Sequence, residues 1–217
     1  MMKKPMTPVL LILAGIVAGI LISSAVYTKT GLSVFGEFRD NPAPSSKLEN
    51  PELTDLAYTI LKNIRDGDYE ALSHVTHPEF GIVFSPCATI TLPTNKCFQS
   101  EQIAAFAEDT KLYVWGLYKD GRPIELTAAG YFANFVYDKD YYNAPIIGVN
   151  HIVRSGNALE NITEIFRDVQ FVDFHFPGSE PGPGVDEEHG WSSLRLGFEE
   201  YDGRLFLTVI LRSHWTA

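Results

Sequence analysis

The sequence predicts an α+β protein in which N-terminal helices pack on an antiparallel sheet, with one transmembrane helix ahead of the domain. Three observations carry this. Eighteen uncharged residues, Val9 to Val26, follow Lys3 and Lys4; apolar residues between Leu53 and Ile64 recur at helical spacing; and the C-terminal third alternates with period two around an Asp202-Gly203 turn.

At about 1.5 Å per residue the first run reaches about 27 Å, near the lower limit for a hydrocarbon core of roughly 30 Å. Lys3 and Lys4 precede it and no acid occurs before Glu37, a bias that keeps the N-terminus in the cytoplasm and sends the rest outside. Residues 1–27 are thus a transmembrane anchor of a single-pass membrane protein, or a signal peptide, since Ser23-Ser24-Ala25 offers small residues for cleavage. Cleavage would leave a secreted or periplasmic protein. Residues 28–50 mix Gly, Pro, Ser and charges and read as a linker.

The domain spans 51–217, with 12 Lys+Arg against 24 Asp+Glu, so 12 − 24 = −12. Nucleic acid and anionic lipid head groups are poor partners for such a surface, and no nucleic acid is expected. The two cysteines, Cys87 and Cys97, lie on the exported side, where oxidation is the default, and a disulfide between them is expected. Their spacing is not that of a zinc site.

Asn50-Pro51-Glu52 starts the first helix with a cap, a proline at its first position and an acid in its first turn. Leu53, Leu56, Ala57, Ile60, Leu61 and Ile64 form its apolar face, and Asp66-Gly67 stops it. Asp68 caps a short second helix with Ala71, Leu72 and Val75. Ser100 and Thr127 are the caps expected for two more, around Ile103–Phe106 and Tyr131–Val136. Strands are expected over Val169–Phe176, Ser192–Glu200 and Arg204–His214. Counting back from the two-residue turn pairs Phe198 with Leu207, Leu196 with Val209 and Leu194 with Leu211, apolar on both strands.

Ile64-Arg-Asp-Gly-Asp-Tyr-Glu-Ala-Leu72 followed by His77-Pro78, a further helix and closing long strands resembles the nuclear-transport-factor-two-like (cystatin-like) superfamily. The resemblance covers about residues 51–217 and implies a cone-like fold with helices in the concave face of a curved sheet. Phe135-Val-Tyr-Asp138, Ser193-Leu-Arg-Leu-Gly-Phe-Glu199 and Trp215-Thr216 are also similar to exported bacterial proteins of no assigned function. The superfamily holds isomerases, cyclases, dehydratases and silent binding domains, so fold alone leaves function open.

The register puts Val172, Phe174, Phe176, Leu194, Leu196, Phe198, Leu205, Leu207, Val209, Leu211 and Trp215 on the face toward the helices. None can move a proton, which argues against catalysis and assigns no catalytic residue. The other face carries Asp173, His175, Arg195, Phe206, Ile210, Arg212 and His214 with Phe171, Trp191, Ser193, Glu199 and Thr208. That mix matches an interface. The resemblance implies a homodimer or a membrane-complex partner there.

The expected function is therefore a membrane-anchored, extracytoplasmic, non-catalytic binding or assembly module. The alternative is a small-molecule lyase or isomerase using Asp173, His175 or His214 as an acid–base pair. No cofactor is called for. Glu70, His74 and His77 at helical spacing, and His189 with Asp186, Glu187 and Glu188, read as solvated polar faces rather than metal sites. Asn161-Ile-Thr163 is a glycosylation sequon if the source is eukaryotic.

Overall fold

The first helix, α1 (Pro51–Asp66), starts where the side chain of Asn50 accepts the Leu53 N–H at 3.1 Å and ends at Gly67, whose φ of 68° only glycine adopts at little cost. A computed structural model describes residues 50–178 and 190–214, which fall in the second of the chain's two units, Lys47–Ala217. The span Val9–Val26, the linker before Asn50, the acidic loop around His189 and Trp215 lie outside the described residues. Among the described residues no helix is long and apolar enough to cross a membrane.

Asp68 caps α2 (Tyr69–Ser73) by accepting the Ala71 N–H at 2.9 Å. Strands β1 (Ile82–Ser85) and β2 (Lys96–Phe98) lead to α3 (Ser100–Ala104). Here the cap is Gln99, one residue before the expected Ser100: the Gln102 side chain reaches back to the Gln99 N–H at 3.0 Å. β3 (Tyr113–Leu117) and β4 (Pro123–Leu126) form a separate hairpin. Thr127 caps α4 (Ala128–Tyr131) as expected, accepting the Gly130 N–H at 3.1 Å. A π-type turn over Phe132–Val136 and a 3-10 turn over Tyr141–Asn143 follow. Then come β5 (Ile146–Val149), α5 (Ile162–Ile165), β6 (Gln170–Phe176), β7 (Ser192–Tyr201) and β8 (Arg204–His214).

The fold is α+β with a mixed sheet in the order β2-β1-β8-β7-β6-β5. It is not wholly antiparallel, because β1 runs parallel to β8 with Val83 opposite Val209. The chain leaves α2 alongside the start of β8, where Leu207 exchanges backbone hydrogen bonds with Val75 and His77. β1 continues in the direction of β8, extending the parallel pairing that Thr76 begins at Leu207.

The β7–β8 turn is as the Asp-Gly pair requires, with φ of 50° at Asp202 and 73° at Gly203. Phe198 pairs with Leu207 as expected, but the register then slips. Gly197 faces Val209, Leu196 faces Ile210 and Leu194 faces Arg212, so Thr208 is an extra residue in β8 and forms a bulge. The slip corrects the expected pairing of Leu196 with Val209 and of Leu194 with Leu211. Beyond Thr208 it exchanges the faces of β8: Ile210, Arg212 and His214 turn toward the helices, and Val209 and Leu211 turn away.

The helix side holds the main core. Leu53, Ala57, Ile60 and Leu61 of α1 pack with Val172, Phe174, Leu194, Leu196, Phe198 and Ile210 of the sheet. Aromatic rings fill the rest: Phe84 lies 5.6 Å from Trp115, and Trp115 stacks on Tyr131 at 3.9 Å. The opposite face is covered by the chain's own residues 150–169. There Val83, Val209, Leu211, Phe171, Ile90, Ile162 and Phe166 form a second apolar cluster.

Gly197 lets this outer layer approach. A Cβ added there would lie 2.5 Å from Val209 Cγ1, 3.1 Å from Val169 Cγ2 and 3.3 Å from Ile162 Cδ1. Gly197→Ala is accordingly expected to destabilise the full-length chain in detergent by about 1–3 kcal/mol, the usual cost of overpacking. Chemical denaturation followed by circular dichroism measures this, and an unchanged midpoint would contradict the packing described.

Candidate functional site

The bulge delivers Arg212 and His214 to the helix-side end of β8, opposite Leu194 and Ser192. The segment after the π-type turn meets them. Arg212 Nη2 pairs with Asp138 Oδ2, and the guanidinium lies 5.8 Å from the Phe135 ring. Tyr141 places its hydroxyl 3.1 Å from Asp138 Oδ1 and 2.6 Å from Ser192 Oγ. A chain of polar contacts thus runs from Arg212 through Asp138 and Tyr141 to Ser192. The Arg212 and Asp138 side chains keep 16% and 19% of their surface, so the pair sits at the rim of the core.

Electrostatics fix the protonation states. Burial first, and then the neighbouring Asp138 carboxylate, hold the Tyr141 hydroxyl well above its ordinary range, so it remains a proton donor. Burial and the Arg212 cation pull His214 down to about 4, with Asp138 opposing them more weakly. Its imidazole is therefore neutral at physiological pH. Among the described residues neither His214 Nδ1 nor Arg212 Nε has a hydrogen-bond partner. A neutral imidazole, a carboxylate and a phenol side by side can move a proton in principle. Yet both Asp138 oxygens are engaged, and the space beneath is occupied by rings: Phe135 stacks on Tyr131 at 5.3 Å.

The structure does not gather the other residues expected at an interface. Arg195 is fully buried on the opposite face, bonded to Glu160 Oε2 at 2.6 Å and to Asp173 Oδ2 at 3.1 Å. Asp173 Oδ2 also accepts the Val153 N–H at 3.0 Å, and Ser213 Oγ donates to Glu160 Oε1 at 3.3 Å. His175 Nδ1 lies 2.9 Å from Ser193 Oγ, and its ring is 5.9 Å from Trp191. Asp173 and Arg195 therefore clasp Val153 and Glu160 to the sheet, and His175 is buried against Ser193 and Trp191, instead of facing solvent. Phe206 lies near the opposite end of β8, beneath the Arg204 guanidinium at 5.2 Å and 6.3 Å from His77. The expected single mixed face is thus three separate places, and Ile210 belongs to the main core.

Asp138, Tyr141, Ser192 and Glu160 were absent from the sequence-derived site. Asp138 lies in the Phe135–Asp138 stretch that carried part of the resemblance, but it is 74 positions from Arg212. Nothing in local pattern joins residues at that separation.

The remaining candidates resolve individually. α2 ends at Ser73, so Glu70, His74 and His77 do not share a helix face. His77 is buried, its Nδ1 accepting the Glu79 and Phe80 N–H groups at 3.3 and 3.1 Å. Among the described residues no three His, Cys, Asp or Glu side chains are grouped to hold a metal. Asn161 is also buried, trading hydrogen bonds of 2.8 and 2.9 Å with the backbone of Ile90, so the sequon is closed in the folded chain. Cys87 and Cys97 are exposed and unbonded to each other; their thiols donate to Thr89 O at 3.3 Å and to Phe80 O at 2.9 Å.

No protein-family model matches the chain, and no curated protein matches its sequence.

His214 leaves a measurable signature. Its pKa in the unfolded chain is about 6.5, so as pH falls from there toward 4 the unfolded state takes up a proton that the native state refuses. The native state is destabilised across that window. His214→Asn is expected to shrink the loss of thermal midpoint between pH 7 and pH 4.5, measured on the full-length chain in detergent. An unchanged pH dependence would contradict a buried neutral imidazole.

Proposed function

We propose that the chain is a non-catalytic binding or assembly module, anchored in a membrane by Val9–Val26 and carrying its domain outside the cytoplasm, on a nuclear-transport-factor-two-like cone. Helix α1 against one face of the sheet is in keeping with that fold. The observation that carries the reading is the packed interior. A catalytic cone needs an open cavity with a titratable group inside it. Here Trp115, Tyr131, Phe84 and Phe106 are fully or almost fully buried in that volume. The acid–base groups lie at its rim or in the closed Asp173–Arg195–Glu160 clasp.

One observation favours the lyase or isomerase alternative: a neutral His214 beside Asp138 and the protonated Tyr141. Of the histidines first considered for that role, His175 is buried against Ser193 and Trp191, which leaves His214 to act.

Complementation separates the two. The gene is deleted in its own host, and a growth defect is rescued with the wild type, with His214→Asn or with Tyr141→Phe. The module reading predicts full rescue by both variants at normal protein levels. Failure of either variant at normal levels would favour the enzyme.

A further inference from the structure

The β3–β4 hairpin stands apart from the six-stranded sheet and presents two unlike faces. Trp115 and Ile124 point inward and are 0% and 2% exposed. Outward or at the tip are Leu112, Val114, Leu117 and Tyr118, exposed by 57%, 43%, 65% and 42%. Four large apolar side chains within seven residues form a patch rather than scattered surface residues. Lys111 and Lys119 bracket the run, and Arg122 lies over the Tyr118 ring at 5.4 Å. Glu125, opposite Val114, puts a carboxylate on the β4 side, so the apolar surface runs along β3 and the turn.

We propose that this edge of the hairpin rests on the bilayer surface. The inference depends on the membrane-anchored reading above. Twenty-three residues, 27 to 49, separate the end of the apolar run from Asn50. A chain of that length reaches at most about 80 Å when fully extended. The radius of gyration of a domain of this size is roughly 15 Å. A tether of that reach allows the hairpin to meet the lipid, and tethering raises the effective concentration at which a small apolar patch can engage it. Leucines and a tyrosine enter the interfacial zone while flanking lysines extend to phosphates. A second copy fits less well. Hairpins packed face to face would set Lys111 and Lys119 against lysines of the other copy in either orientation.

The test uses the full-length chain in phosphatidylcholine vesicles, with Cys87→Ser and Cys97→Ser. A nitroxide is attached through Leu117→Cys or, as a control on the exposed side of α1, through Glu52→Cys. Power-saturation measurements compare accessibility to oxygen and to a nickel chelate. The expected result is a shift at position 117 toward oxygen and away from nickel, with position 52 remaining aqueous. Equal, nickel-accessible labels on a chain that floats with the vesicles overturn the hairpin inference alone. Dipolar broadening between labels at position 117 assigns the face to a second copy and also overturns it. A chain that does not float with the vesicles overturns the membrane reading and this inference together.

Discussion

One extra residue in β8 sets the organisation of the sheet. Between the pair Phe198–Leu207 and the pair Gly197–Val209, β8 carries Thr208 with no counterpart on β7. Side chains alternate strictly along a strand, so an insertion of one exchanges inside and outside for everything beyond it. Ile210 then completes the main core, and Val209 and Leu211 are released to the other side, where they become the seat of a second apolar cluster. Gly197, with no side chain of its own, makes room at that point for Val209, Val169 and Ile162.

The electrostatics follow from the same geometry. An arginine placed beneath a covering layer has to find carboxylates there, because an unpaired buried charge is costly. Arg195 finds Asp173 on the neighbouring strand and Glu160 on the covering segment. The segment is thereby held by ionic contacts as well as by Ile162 and Phe166. On the helix side Arg212 meets Asp138 at the rim, and the same cation helps to keep His214 neutral. Two arginines expected on one face thus serve different layers.

Much of the local structure was legible because it rests on local chemistry. The Asn50 cap, the Gly67 stop, the Asp68 and Thr127 caps and the Asp202-Gly203 turn each depend on a few adjacent residues, and each stands where the sequence places it. The bulge was not legible. Leu205-Phe-Leu-Thr-Val-Ile-Leu211 is apolar at nearly every position, as a strand buried on both faces is, so alternation gives no sign of where the register slips. β1 to β5 have three to five residues each, too short for periodicity to mark them. The covering layer and the Asp138–Arg212 pair depend on contacts far apart in sequence, which no local pattern encodes.

Cross-strand pairing on the far side of Thr208 is the most direct measure of this organisation. Residues directly opposite each other across an antiparallel pair have Cα atoms about 4.5–5.5 Å apart, within disulfide range. With Cys87→Ser and Cys97→Ser in place, Ser193→Cys combined with Ser213→Cys should close a disulfide under mild oxidation, seen as the loss of two hydrogens by mass spectrometry. Ser193→Cys combined with Arg212→Cys should remain reduced, since those side chains point to opposite faces in the bulged register. The reverse outcome would mean that β8 runs without the bulge, with Arg212 and His214 facing away from the helices.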